Sequence, residues 1–201
     1  MSRTFSVNWD YRCPFARNAH DHVVTALQAG AGWQVDFVPF SLSQVHVTDG
    51  EPPVWDDPSQ APDLLALEAA VVVRDRLPER FLAVHQALFA ARHDEGRDIR
   101  DKDVVAGALA AGGVDEVDMV MAEVSQGWPL AAVREAHEQS VERHQVFGVP
   151  TFVVGEEAAF VRFMHRPDGD GAAARETIER VVRLLAEHPE LNELKRTTVG
   201  R

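Results

Sequence analysis

The hydrophobic period changes twice within the first 42 residues, and those changes constrain the fold more than any other feature of the chain. Phe5, Val7 and Trp9 alternate with Ser6, Asn8 and Asp10, the period of two expected of a half-buried strand. Ala16, Ala19, Val23 and Ala26-Leu27 then recur at helical spacing, and Gly30-Ala31-Gly32 supplies a stop. A helix is predicted over about residues 14–29. Alternation returns over residues 33–42, which read as a second strand, with Pro39 marking its end or an edge position.

Residues 43–62 change character, with Pro52, Pro53, Pro58 and Pro62 among acidic side chains and a single Trp55. Irregular connections of this length inside compact domains are functional covers or disordered segments. Helical patterns follow over residues 63–76, 78–92, 101–111, 115–125 and 129–145, separated by Gly112-Gly113 and Gly127-Trp128-Pro129. Thr151-Phe152-Val153-Val154, a turn at Gly155-Glu156-Glu157, and a second β-rich run over residues 158–163 predict an antiparallel hairpin. A last helix carries Ile178, Val181, Val182 and Leu185 on one face and ends at His188-Pro189. The class is α/β. With the helical block removed, the order is βαββα, a thioredoxin-like core, so residues 1–42 and 148–201 form the thioredoxin-like domain and residues 43–147 a large α-helical insertion.

Charge narrows the partners. With 32 acidic against 20 basic side chains, the formal charge of −12 repels phosphate backbones and anionic membrane surfaces. No nucleic acid and no membrane partner is expected. The first six residues lack a signal-peptide apolar run, and no stretch approaches the roughly 20 apolar residues that span a bilayer. A cytoplasmic location is expected. A single cysteine excludes an intrachain disulfide and fits a reducing compartment.

That cysteine, Cys13, lies in Asp10-Tyr11-Arg12-Cys13-Pro14-Phe15-Ala16, at the first strand-to-helix junction. Unpaired N–H groups and the macrodipole at a helix N-terminus stabilise a thiolate. Free cysteine titrates near about 8.5, and such surroundings can lower this to roughly 3.5–7.5. Pro14 suits the first turn because its missing N–H has no partner to lose. Arg12 and Arg17 add positive potential, whereas His20, two turns on, is too far to act as a base. Isolated cysteines are commonly small buried hydrophobes, but a Cys-Pro step at this junction has no packing rationale. The second element is Gly148-Val149-Pro150-Thr151-Phe152, just before a strand. An X-Pro bond adopts cis at a cost of only about 0.5–1 kcal/mol; taken alone the segment could be any turn, but at this place in a βαββα order it looks like a loop that faces the sulfur and offers backbone hydrogen bonds to an extended substrate.

The Asp10-x-x-Cys13-Pro14-Phe15 segment, the loop around Val149-Pro150 and the long helical insertion together resemble the DsbA family of thioredoxin-fold oxidoreductases. The tail Glu193-Leu194-Lys195-Arg196-Thr197 is similar to that of its mycothiol-dependent nitroreductase branch. The resemblance implies that Cys13 is the nucleophile, that Pro150 is cis, that Pro14, Phe15, Val149, Pro150 and Thr151 face the substrate, and that residues near Trp55 help to cover the site. Asp10 and Arg17 support it. There are two departures. Ala16 stands where the family keeps its resolving cysteine, giving Cys-Pro-Phe-Ala in place of Cys-x-x-Cys. Val7 stands where many thioredoxin-like proteins keep a buried acid, and Asp10 matches the nitroreductase branch instead.

A lone thiolate can still form a mixed disulfide that a second, external thiol releases. This is a monothiol mechanism with a low-molecular-weight thiol as cosubstrate: mycothiol by resemblance, glutathione equally by chemistry. A thiol-cofactor-dependent isomerase or transferase of the same fold, and a non-catalytic binding protein, stay open beside it. No metal is expected: nine histidines include no His-Glu-x-x-His, and Asp168-Gly169-Asp170-Gly171 imitates a calcium loop but is followed by Ala172. No Gly-x-Gly-x-x-Gly occurs, so no tightly bound cofactor is expected. The alanine-rich stripes are most simply core, although one could serve a homodimer.

Overall fold

A computed structural model describes residues 3–196, so Met1, Ser2 and Thr197, which entered the reading of the two ends, lie outside the described residues. The first period change becomes strand β1 (Arg3–Trp9) and helix α1 (Pro14–Gln28), and the second becomes β2 (Trp33–Pro39). β1 and β2 pair in parallel, from Arg3 opposite Trp33 to Trp9 opposite Pro39, as a helical crossover allows. Proline has no N–H to extend a ladder, so β2 stops there and not at Leu42. Phe40 N–H still reaches the Trp9 carbonyl at 2.9 Å. Ser41 then caps a short helix, α2 (Leu42–Val45), its hydroxyl accepting from Gln44 N–H at 3.2 Å.

Residues 43–62 are therefore less irregular than their composition suggests: they open inside α2 and carry two 3₁₀ turns, Val54–Asp56 and Pro58–Gln60. Helices α3 (Ala61–Arg76), α4 (Pro78–His93), α5 (Lys102–Ala111), α6 (Val117–Val124) and α7 (Trp128–His144) follow. Every residue of α3 from Leu64 to Val73 is buried. Its neighbours are α4, α5, α6 and α7, and a helix covered on all sides is apolar nearly all round.

The chain then returns to the sheet. β3 (Thr151–Val154) pairs antiparallel with β1, Val7 opposite Phe152, and β4 (Glu157–Phe160) pairs antiparallel with β3. The order is β2-β1-β3-β4. β4 ends at Phe160, earlier than the β-rich run, because its partner strand begins at Thr151; the next N–H, of Val161, goes to the Pro150 carbonyl at 3.0 Å. Helix α8 (Gly171–Glu187) packs along α1. The two approach so closely that a β-carbon on Gly171 would lie 2.3 Å from that of Ala29.

β1 is the strand that places the site. Phe5, Val7 and Trp9 are buried as their alternation predicts, but Asn8 is buried as well, because its amide donates to the Ser140 hydroxyl of α7 at 3.0 Å. One packed cluster joins Val7, Trp9 and Phe152 of the sheet to Leu67, Leu88, Val105 and Val133 of the helical block. The fold is α/β and thioredoxin-like, with its helical insertion between β2 and β3.

Candidate active site

Cys13 is the N-cap of α1, with extended φ/ψ of −93° and 117°, and Pro14 opens the helix behind it. Its sulfur accepts from Ala16 N–H at 3.4 Å, and its thiol donates to the Val149 carbonyl at 3.2 Å. Two distant segments, the first turn of α1 and the loop before β3, therefore meet at one sulfur. The Val149–Pro150 bond is cis. Thr151 closes that loop by donating its hydroxyl to the Gly148 carbonyl at 2.7 Å.

Burial is the main influence on the thiol and pushes it above its ordinary value; Cys13 is only 8% exposed. The N–H groups of Ala16 and Phe15 pull the other way, Asp10 raises the thiol further, and Arg162 lowers it. The helix N-terminus thus acts with the sign expected from the sequence, yet desolvation outweighs it.

The residues expected to support the site divide sharply. Asp10 is buried, and both of its carboxylate oxygens are used, one accepting from Arg12 N–H at 2.8 Å and the other from Leu42 N–H at 2.7 Å. Burial pushes its carboxyl up against the pull of those two donors. Asp10 therefore ties the cysteine loop to the start of α2. Arg17 does not face the sulfur: its guanidinium pairs with Asp94, the residue that follows α4, and it lines a cleft between α1 and α4 with Asp21, Phe89 and Arg166. Arg12 reaches Ser43 and lies 3.6 Å from Asp63. Phe15 lies under the guanidinium of Arg162, 5.0 Å from the ring centroid. Trp55 packs against His137 of α7, with ring centroids 5.3 Å apart.

Sequence reasoning missed what holds Tyr11, two residues before the cysteine. The Tyr11 hydroxyl bonds His85 Nδ1 at 2.7 Å, His85 Nε2 bonds His20 Nδ1 at 2.9 Å, and His20 Nε2 bonds the Asn8 carbonyl at 3.1 Å. Burial holds both imidazoles neutral: His20 is pushed down to about 4 and His85 well below its ordinary value, with His20 adding to the effect. A carbonyl can only accept, so His20 Nε2–H donates to Asn8, His85 Nε2–H donates to His20, and Tyr11 O–H donates to His85. The Tyr11 carbonyl in turn accepts from His93 Nε2–H at 2.8 Å. Arg162 was also missed, since nothing in its spacing connects it to residue 13. Beside the loop, Phe147 is 67% exposed and its ring lies 5.3 Å from that of Phe160.

Among the described residues, no group of three or more His, Cys, Asp and Glu side chains could hold a metal ion, and no helix is long and apolar enough to cross a membrane. A four-stranded thioredoxin-type sheet, a helical insertion, and a cysteine capping the first helix opposite a proline loop define the thioredoxin-fold class. Within that class the chain belongs to the family of the DSBA-like thioredoxin domain, whose model matches residues 6–168. No curated protein matches it significantly.

Solved structures share the fold at low identity. MdbA, a thiol-disulfide oxidoreductase from Actinomyces oris, is 16% identical with a TM-score of 0.63, over 87% of this chain and 80% of that one. The cytosolic disulfide reductase DsbM from Pseudomonas aeruginosa, solved with GSH, is 17% identical with a TM-score of 0.62, over 90% of this chain and all of that one (100%). A probable DsbA oxidoreductase from Streptomyces coelicolor is 17% identical with a TM-score of 0.61, over 96% and 93% of the two chains.

Proposed function

We propose that the protein is a thiol-dependent oxidoreductase that works through Cys13 alone. The observation that carries this reading is the Cys13 thiol capping α1 and donating to Val149 on the opposing loop, in a chain with no second cysteine. The Cys13 thiol loses its proton to solvent, and the thiolate attacks one sulfur of a disulfide. A new S–S bond forms as the old one breaks, and the other sulfur leaves as a thiolate. An external thiolate then attacks the mixed disulfide, takes the bound group as a new disulfide and returns Cys13 to its starting state. No second protein cysteine is needed.

In this reading Pro14, Phe15, Val149, Pro150 and Thr151 contact the substrate, Asp10 holds the loop, and the exposed Phe147 offers apolar surface beside it. The resolving thiol is of low molecular weight. Mycothiol is supported by the tail motif, and glutathione by a neighbour of like fold that was solved with GSH. A cytoplasmic setting agrees with a lone cysteine and with the cytosolic location of that neighbour. A homodimer is compatible with the same chemistry. A second reading, in which the loop holds a thiol cofactor for transfer or isomerisation, is favoured by the burial that opposes a Cys13 thiolate.

The test is intact mass. Protein mixed with an oxidised small thiol gains one thiol mass, and Cys13→Ser abolishes both adduct and turnover. Turnover that survives the serine change selects the second reading; neither adduct nor turnover in the native protein leaves only a binding role.

A further inference from the structure

Arg162 is the cation that bears on the sulfur, yet it follows β4, far from residue 13 in the chain. Three contacts fix it there. Its guanidinium lies 5.0 Å from the centroid of Phe15, in the first turn of α1. The preceding residue, Val161, donates its N–H to the Pro150 carbonyl at 3.0 Å. The Val149 carbonyl next to that proline accepts from the Cys13 thiol at 3.2 Å. Arg162 is thus fastened to both walls of the site, the helix start and the proline loop.

Its charge is unspent. Arg12 lies 3.6 Å from Asp63, and Arg17 pairs with Asp94; among the described residues Arg162 forms the ring contact and no ion pair. It is exposed, whereas Asp10, the acidic group that bears on Cys13, is buried and has both oxygens occupied by N–H groups. A guanidinium held over a ring face keeps its N–H donors in its own plane, free of the ring and available for a carboxylate. The chain carries a net charge of −12, so its long-range field repels anions. A local cation is the means by which an anionic substrate gains at this sulfur, over a distance that screening limits to about 8 Å at physiological ionic strength.

We infer that the thiol or disulfide partner of Cys13 carries a carboxylate, which Arg162 receives beside the reacting sulfur. This rests on the monothiol reading above and narrows its cosubstrate to the anionic class, to which glutathione belongs and uncharged sugar thiols do not. The chemistry is unchanged: one S–S bond breaks as one forms, and the displaced thiolate leaves.

The experiment measures formation of the Cys13 mixed disulfide by intact mass, at one pH, with glutathione disulfide as the anionic probe, bis(2-hydroxyethyl) disulfide as the neutral one and cystamine as the cationic one. Arg162 also influences the thiol itself, so the ratio of anionic to neutral rates is the readout, because a change in thiolate fraction alters both rates alike. Arg162→Met keeps an unbranched stem over Phe15 and is expected to lower that ratio by about tenfold, equivalent to roughly 1.4 kcal/mol. Arg162→Lys restores most of it, cystamine shows the opposite trend, and added salt narrows every difference. A ratio that Arg162→Met leaves unchanged, with adducts still forming, overturns the carboxylate assignment and leaves the monothiol reading intact. No adduct with any of the three disulfides in the native protein overturns the monothiol reading itself.

Discussion

The Cys13 thiol donates to the carbonyl of Val149, a partner 136 residues away in the chain, while its sulfur accepts from Ala16 N–H, so the loop contact requires the protonated form and the helix contact favours the thiolate. Hydrogen bonding to the neutral form and burial act in one direction. The Ala16 and Phe15 N–H groups and Arg162 act in the other, and Asp10 sides with burial.

The first consequence is a pH profile. Alkylation of Cys13 in the folded protein is expected to reach half its limiting rate above the ordinary thiol value of about 8.5. A thiol raised by folding stabilises the fold fully below its unfolded value and loses that contribution as pH rises through the folded one. Stability should therefore decline on the alkaline side, and less so in Cys13→Ser. Asp10→Asn shifts the alkylation midpoint down, and Arg162→Met shifts it up. A midpoint well below 8.5 in the native protein, on the ordinary scale of about 8.5, contradicts this account.

Asp10 provides the second. Truncation by Asp10→Ala removes the acceptor from Arg12 N–H and Leu42 N–H together, and a buried donor left without a partner costs about 1–3 kcal/mol. Denaturant unfolding should show a loss of about 2–4 kcal/mol, since each donor regains some solvent. Asp10→Asn keeps one acceptor and should lose about half as much. Equal stability for the alanine variant and the native protein would mean that the carboxylate does not tie the loop to α2.

The histidine chain gives the third. Tyr11→Phe leaves His85 Nδ1 without its donor and is expected to cost about 1–3 kcal/mol. The chain also has a pH signature. His20 is pushed down to about 4 by burial, and a base held below its ordinary value gives stability that is complete above about 6.5 and disappears as pH falls through the folded value. Chemical denaturation at intervals across that range should show a decline that His20→Gln, which keeps a donor for Asn8, makes shallower. A slope that is the same in both proteins would move the acid sensitivity elsewhere.

The fourth concerns the contact of α1 with α8. Gly171→Ala forces a β-carbon to 2.3 Å from that of Ala29, and overpacking of this kind costs about 1–3 kcal/mol. Ala29→Gly in the same chain removes the obstructing atom and should restore most of the loss. Additive penalties in the double variant would show that some other strain is responsible.

Much of this architecture is written locally. The alternation of Phe5, Val7 and Trp9 and the helical spacing of Ala16, Ala19 and Val23 each depend on neighbours a few positions away, so β1 and α1 can be read directly. The end of β2 is legible too, because Pro39 lacks the donor that pairing requires. α2 escaped because a helix of one turn has no period to detect; its signal, Ser41 as a cap, is a single residue. At the site, Cys13, Asp10 and the Val149-Pro150 loop could be singled out from motif and order. Arg162, His85 and His93 could not, because their meaning comes from contacts that only the closed chain creates. Arg17 shows the reverse difficulty: helical spacing placed it one turn from the sulfur, but Asp94 at the end of α4 draws its guanidinium away.

Helix α4 grips Tyr11 twice, with His85 on its hydroxyl and His93 on its carbonyl. An engineer who transplanted residues 10–16 into a thioredoxin scaffold without this insertion would carry over the cysteine and leave its mooring behind. The same coupling works in the other direction: changes in α4, made without touching the cysteine loop, offer a dial on the reactivity of the sulfur.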